Sequence, residues 1–254
     1  MTFRPTALRS GIAALLATLA LSAPARAAET VVAVAANFTD AATEIGAAFE
    51  KATGDRVTYS FGSTGQLYTQ ITQDAPFEVF LAADQARPEK AEAEGHAVDG
   101  SRFTYAVGKL VLYSSEAGAL DDGSDALARP GITHIAIANP VTAPYGAAAV
   151  EAMKALGLYE TLEPKIVQGK SISQTHQFVA TGNAELGFVA LSQVIAEEGG
   201  SQWIVPQEIY TPIRQDAVLL TRGADSETAR AYLDFLKSPE ALAIIGKYGY
   251  GTED

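Results

Sequence analysis

Thr30-Val31-Val32-Ala33-Val34-Ala35-Ala36-Asn37-Phe38-Thr39 is the stretch from which the fold can be read. Its β-branched and small apolar residues predict a strand over Thr30–Ala35. The next residues predict a helix over Phe38–Thr53, because Ala41, Ile45, Ala48 and Phe49 recur at helical spacing and Gly54 ends the run. The alternation then repeats. Arg56–Phe61 and Phe77–Ala82 read as strands, and Thr64–Gln73 and Pro88–Glu94 as helices. A regular β-α order predicts an α/β fold with a mostly parallel sheet.

The rhythm breaks at Phe103–Val107 and Leu110–Ser114, two adjacent strand-like runs, and at the polar, turn-rich Gly118–Pro130. It resumes with strands Ile132–Ala138, Lys165–Gln168 and Leu186–Ala190, each followed by a helix: Gly146–Leu156, Ser173–Thr181 and Ser192–Glu197. Trp203–Pro206 leads to a last extended run, Ile213–Leu220, and helices Ser226–Leu236 and Pro239–Lys247 close the chain. Two α/β halves separated by extended crossings predict two lobes, each a mixed sheet flanked by helices. The crossings are expected near Phe103–Val107 and Ile213–Val218. The expected division is lobe 1 from residues 28–104 and 216–254, and lobe 2 from 105–215.

The N-terminus is expected to be a secretory signal peptide, residues 1–27. Arg4 and Arg9 form a basic start, Ile12–Leu21 an apolar run, and Ala25-Arg26-Ala27 a small-x-small cleavage site. The apolar run falls short of the roughly 20 residues that cross a bilayer. The sequence has no cysteine, so neither disulfides nor a lipidated cysteine enter the reading. A freely soluble periplasmic monomer is the expectation.

The formal net charge is −12, and loss of Arg4, Arg9 and Arg26 would take it to −15. Such a chain lacks the basic patches that nucleic acid or an anionic membrane surface requires. Three histidines, His96, His134 and His176, are scattered without metal-ligand spacing, so no cation site is expected. Asp84 and Asp40 read as capping or dipole-complementing residues, and Glu89, Glu92 and Glu94 as a solvated face.

Ligands of open α/β sheets bind beyond the carboxyl ends of the strands. Four strand-to-helix turns there carry small or hydroxyl-bearing residues. They are Ala35-Ala36-Asn37-Phe38-Thr39, Gly62-Ser63-Thr64-Gly65, Asn139-Pro140-Val141-Thr142-Ala143-Pro144-Tyr145-Gly146, and Gly169-Lys170-Ser171-Ile172-Ser173. Asn37 reads as a helix cap whose amide NH2 can also donate to a ligand. Ser63 and Thr64 offer hydroxyls, and Tyr145 offers a backbone N–H at a helix start. Helix starts expose unpaired N–H groups and a partial positive charge, so several aimed at one point bind an anion without arginine. No carboxylate stands at these positions. A donor-only site favours a fully ionised dianion such as sulfate, molybdate or tungstate over a protonated one.

These turns, with Ala75-Pro76-Phe77-Glu78-Val79-Phe80-Leu81-Ala82-Ala83-Asp84, Leu186-Gly187-Phe188-Val189-Ala190 and Lys247-Tyr248-Gly249-Tyr250, resemble the periplasmic molybdate-binding proteins of ABC importers. The resemblance spans the mature chain and implies the two-lobed type II periplasmic binding fold. It further implies molybdate or tungstate as ligand rather than cofactor, with molybdenum present only inside the oxyanion, and a membrane permease as partner. The implied oxyanion contacts are Asn37, Thr64 with Ser63 beside it, the backbone N–H groups of Tyr145 and Ile172, and the Ala36 N–H. The chain departs from one family pattern: Ala190 stands where a tyrosine hydroxyl donor is expected, which leaves the donor count open. It resembles the branch with tyrosine in the third turn. Sulfate or another dianion in the same fold is the alternative cargo. A periplasmic hydrolase is the other reading, disfavoured because the sequence has no nucleophile elbow and no histidine at a donor turn.

Overall fold

The computed structural model describes residues 1–2 and 27–252. The core of the expected signal peptide therefore lies outside the described residues. Among the described residues no helix is long and apolar enough to cross a membrane.

The first strands and helices follow the predicted order: β1 Glu29–Ala35, α1 Thr39–Thr53, β2 Arg56–Gly62, α2 Thr64–Ile71, β3 Val79–Leu81 and α3 Ala86–Ala93. Then come β4 Phe103–Gly108, β5 Leu110–Ser114, β6 Ile135–Ala138, α4 Pro144–Ala155 and a short α5, Tyr159–Leu162, that the sequence pattern does not announce. The chain continues with β7 Ile166–Gly169, α6 Ile172–Ala180, β8 Leu186–Ala190, a single-turn α7 Leu191–Val194 and β9 Ser201–Ile204. It closes with β10 Ile213–Leu219, α8 Glu227–Leu236 and α9 Pro239–Lys247.

The strands form two five-stranded sheets, in the orders β2-β1-β3-β10-β4 and β7-β6-β8-β5-β9. In the first, β1 pairs parallel with β2 and β3, and β10 runs antiparallel to both neighbours. In the second, β6 pairs parallel with β7 and β8, and β5 runs antiparallel to both neighbours. Each sheet thus has one reversed strand, and that strand is the one by which the chain arrives from the other sheet. Only Lys109 separates β4 from β5, so the outward crossing is almost a single extended run.

Both faces of the inner strands are covered, which is why β1, β3, β6 and β8 read as near-continuous apolar runs rather than alternations. Val32, Val34, Val79 and Leu81 pack with Phe38, Ile45 and Phe49 of the first turn and α1, and with Tyr232 and Ile245 of the closing helices. Ala33, Phe80 and Val218 face the other way, against Leu67, Tyr68 and Ala91. In the second sheet Ile135, Ile137 and Phe188 pack against α4, and Ala136 and Val189 against α6 and α7. The core also runs between the two halves. Ala35, Ala36 and Ala83 of the first join Ala143, Tyr145 and Ile172 of the second in one buried cluster, so the halves are closed on each other.

The start of α4 shows how tightly helix and strand meet. A Cβ on Gly146 would lie 2.0 Å from the carbonyl oxygen of Ala138, a backbone atom that cannot swing aside. Gly146→Ala is expected to destabilise the protein by about 1–3 kcal/mol through overpacking. Gly246→Ala, at a helical site where a Cβ meets nothing within 4 Å, is expected to add about 0.5–1 kcal/mol of stability. Urea midpoints of the two variants test both signs, and equal shifts would refute the steric account.

Candidate functional site

The carboxyl ends of the parallel strands in both sheets face each other, and the four donor turns meet there. Ala36, Asn37, Ser63, Thr64, Tyr145 and Ile172 all line one small cavity between the halves, with Ala35, Gly62, Ala83, Ala143 and Pro144. Two turns come from each half. The space is well below the roughly 300–1,000 Å³ of clefts that hold drug-sized molecules. No Asp, Glu, Lys, Arg or His lines it.

Each element presents donors for a local reason. Thr64 is the first residue of α2, Tyr145 the second of α4 and Ile172 the first of α6. N–H groups at these positions have no intrahelical acceptor. Ala36 and Asn37 open a 3-10 turn, Ala36–Phe38, with the same consequence. The Ile172 and Tyr145 side chains belong to the buried core, so what these residues offer the cavity is backbone.

Ser63 behaves unlike the other serines that precede helices. Ser171, Ser226 and Ser238 each accept a hydrogen bond from a first-turn N–H, as helix caps do. Ser63 occupies the same position before α2 and makes no capping bond. Its Oγ is buried with no hydrogen-bond partner at all. A buried hydroxyl left unpaired is costly, and such exceptions call for an explanation. Thr64 differs again: its Oγ1 accepts the Ala83 N–H at 3.0 Å, which leaves its own hydrogen free to donate.

Asn37 departs from the sequence reading. It does not cap α1, whose preceding residue is Phe38 with no side-chain cap. Its Nδ2 donates to Gln215 Oε1 at 2.9 Å and to the Tyr250 hydroxyl at 3.0 Å. Both amide hydrogens are therefore committed behind the cavity, and only the backbone N–H remains for a ligand. The carbonyl of Asn37 accepts from Ser192 Oγ at 2.8 Å and Tyr250 Oη at 2.7 Å.

Gln215, Tyr250 and Ser192 are residues whose role the sequence did not reveal. Gln215 is fully buried on β10, accepts the Tyr105 hydroxyl at 3.1 Å and donates to the Tyr145 hydroxyl at 3.3 Å. The available signal was a polar Arg214-Gln215-Asp216 run inside a strand whose other residues are apolar. Burial pushes the Tyr145 phenol well above its ordinary pKa, and burial likewise raises Tyr250, so both stay neutral hydroxyls.

Ala190, at the end of β8, does not line the cavity, and its N–H donates to Gln193 Oε1 at 3.1 Å. His176 lies elsewhere, its Nε2 2.9 Å from Glu197 Oε1 and its ring beside Tyr113. Glu92 is half-buried against Arg102 rather than freely solvated, because Arg102 reaches back to the fully buried Asp216. Among the described residues no cluster of His, Cys, Asp or Glu could hold a metal ion.

Two α/β halves closed over a neutral, donor-lined cavity define the class of two-lobed solute receptors. The family model described as bacterial extracellular solute-binding protein matches residues 30–251. The chain is 62% identical to the molybdate-binding protein ModA of Rhodobacter capsulatus over 253 residues, all of both proteins. It is 58% identical to the ModA of Azotobacter vinelandii over 92% of this chain and 94% of that one. A solved structure of an Azotobacter vinelandii periplasmic molybdate-binding protein superposes with a TM-score of 0.86 at 42% identity, covering 89% of this chain and all of that one. The chain belongs to the bacterial extracellular solute-binding protein family, as a relative of its molybdate-binding members.

The two hydroxyl residues of the second turn should respond differently to truncation. Thr64→Ala strands the buried Ala83 N–H and is expected to cost the free protein about 1–3 kcal/mol. Ser63→Ala removes a hydroxyl that pairs with nothing in the fold, so the free protein should keep its stability within about 0.5 kcal/mol. Thermal unfolding of the two variants without ligand distinguishes them.

Proposed function

We propose that this protein captures molybdate or tungstate between its lobes in the periplasm and delivers it to the membrane permease of an ABC importer. The lobes are residues 28–104 with 216–254, and 105–215, with β4 and β10 carrying the crossings. The protein acts as a monomer and is not an enzyme.

One observation carries the reading: the unpaired Ser63 hydroxyl belongs to a residue lining a cavity that no charged side chain lines and to which three helices bring their first or second residue. The oxyanion contacts are the N–H groups of Ala36, Asn37, Thr64, Tyr145 and Ile172 and the hydroxyls of Ser63 and Thr64. A fully ionised tetrahedral ion accepts at every oxygen and suits such a site. Hydrogen phosphate carries a proton that finds no acceptor there and pays the cost of an unmade hydrogen bond. Water exclusion on closure strengthens each charge-assisted bond, which offsets the lack of a cation. Between molybdate and the smaller sulfate, the names of the close relatives favour the larger ion. A binding role also suits Ser63 better than hydrolysis, since no histidine or carboxylate lines the cavity to take its proton.

Thermal unfolding of residues 28–254 with molybdate, tungstate, sulfate and phosphate tests the proposal. An ion at 100 times its dissociation constant stabilises by about 2.7 kcal/mol. For a chain of this size that is a rise of roughly 5–10 °C. Molybdate and tungstate are expected to give it and phosphate not. Ser63→Ala is expected to weaken binding by about 1–3 kcal/mol while leaving the free protein unchanged. Stabilisation by sulfate alone would keep the site and overturn the cargo.

A further inference from the structure

The Asp84 that ends the Phe-Leu-Ala-Ala-Asp run of the first lobe does not line the cavity, and neither does its neighbour Arg87. Both nevertheless stand where the lobes meet. Asp84 Oδ1 accepts the Arg87 backbone N–H at 2.9 Å, and its other oxygen pairs with Arg87 Nη1. Held from two sides, the guanidinium reaches across the cleft, and its Nη2 donates to the carbonyl of Val141 at 2.8 Å. The next carbonyl, that of Thr142, accepts the N–H of Gly65 at 2.8 Å. Two consecutive carbonyls of one second-lobe turn are thus gripped by the first lobe.

The gripped turn is stiff. Val141 N–H donates to Asn139 Oδ1 at 2.9 Å, and Ala143 N–H to the Asn139 carbonyl at 2.8 Å. The same turn leads directly into α4, whose start lines the cavity. On the other side, Gly65 follows Thr64, and a Cβ there would lie 3.0 Å from the Cα of Thr142 and 3.1 Å from Arg87 Nη2, so a bare backbone at Gly65 eases the close approach of the two lobes here.

We infer that the Asp84–Arg87 pair is a latch that holds the lobes shut and sets how long the bound ion stays. This rests on the oxyanion reading above, but it assigns these residues a task apart from ligand contact. The latch forms only once the lobes have met, so it acts on release and not on capture. Arg87 and Asp84 side chains are 26% and 18% exposed, so their replacement leaves the core intact.

The test measures release of radiolabelled molybdate into excess unlabelled ion, together with the association rate. Arg87→Gln is expected to speed release roughly 3- to 10-fold, the scale of one partly exposed hydrogen bond, with association and ligand-free melting unchanged. Arg87→Lys, which can still donate to Val141, should fall between. Adding Asp84→Asn to Arg87→Gln should change release no further, because both act through one contact. Unchanged release in Arg87→Gln, or full additivity in the double variant, overturns the latch. So does a drop in ligand-free melting with release unaltered, which is the signature of a purely structural pair. Failure of the wild-type protein to bind any oxyanion would instead sink the functional reading. The latch would then be judged by small-angle scattering of the free proteins. A more open Arg87→Gln keeps it, and superimposable profiles overturn it.

Discussion

Backbone N–H groups that begin a helix have no acceptor within it, and this structure gathers several residues so placed around one cavity. Every other feature of the site depends on that constraint. Buried donors without partners are unfavourable, and burial is what closing two lobes would impose on Ala36, Asn37, Thr64, Tyr145 and Ile172. An ion that accepts hydrogen bonds on all sides removes the penalty. Closure and capture are then coupled: the lobes meet most favourably around something that pairs with the donors.

The buried network behind the cavity keeps those donors in register. Gln215 sits on β10, the strand by which the chain returns to the first sheet, and bonds Asn37 on one side and Tyr145 on the other. Ser192 brings the second lobe to the Asn37 carbonyl, and Tyr250 closes the loop. Two site residues from different lobes therefore share one side chain on a crossing strand. The arrangement has little room. A Cβ on Gly108 would lie 2.1 Å from the Tyr145 hydroxyl and 2.7 Å from Gln215 Nε2. A bare backbone at the outward crossing is what allows the network to pass beside it.

Much of this was legible in the sequence because the relevant signals are local. Strand followed by hydroxyl-bearing turn followed by helix is a short local pattern, and position in it placed Ser63, Thr64 and Tyr145 at helix starts, while Ile172 came from the family resemblance and proves to begin α6, one residue before the expected start. Their convergence followed from the rule that parallel strands present their carboxyl ends on one side. What was not legible depended on distant partners. Asn37 carries every mark of a cap, yet its amide is claimed by Gln215, 178 residues away. Ser63 and Ser171 look alike before their helices, and only the packed structure shows that one caps and the other is left unpaired. The reversal of β5 and β10 was hidden for the same reason, since strand direction is settled by which sheet a crossing strand joins.

The acidity of the chain bears on why the donors are neutral. A formal charge of −12 repels a dianion at long range, but ions in solution screen such a field beyond roughly 8 Å at physiological ionic strength. Attraction has to come from within the cleft, where water is excluded and each dipole counts for more. A lysine or arginine in the cavity would attract the ion in the open state as well as the closed one. Neutral N–H and hydroxyl groups attract it strongly only when water has been shut out. When the lobes part, water satisfies both the donors and the ion, and the difference in affinity between the two states is large. Placing the charged Arg87 outside the cavity, on a carbonyl of the opposite lobe, keeps that contrast intact: its charge serves lobe closure while the ligand meets only groups whose hold vanishes on opening.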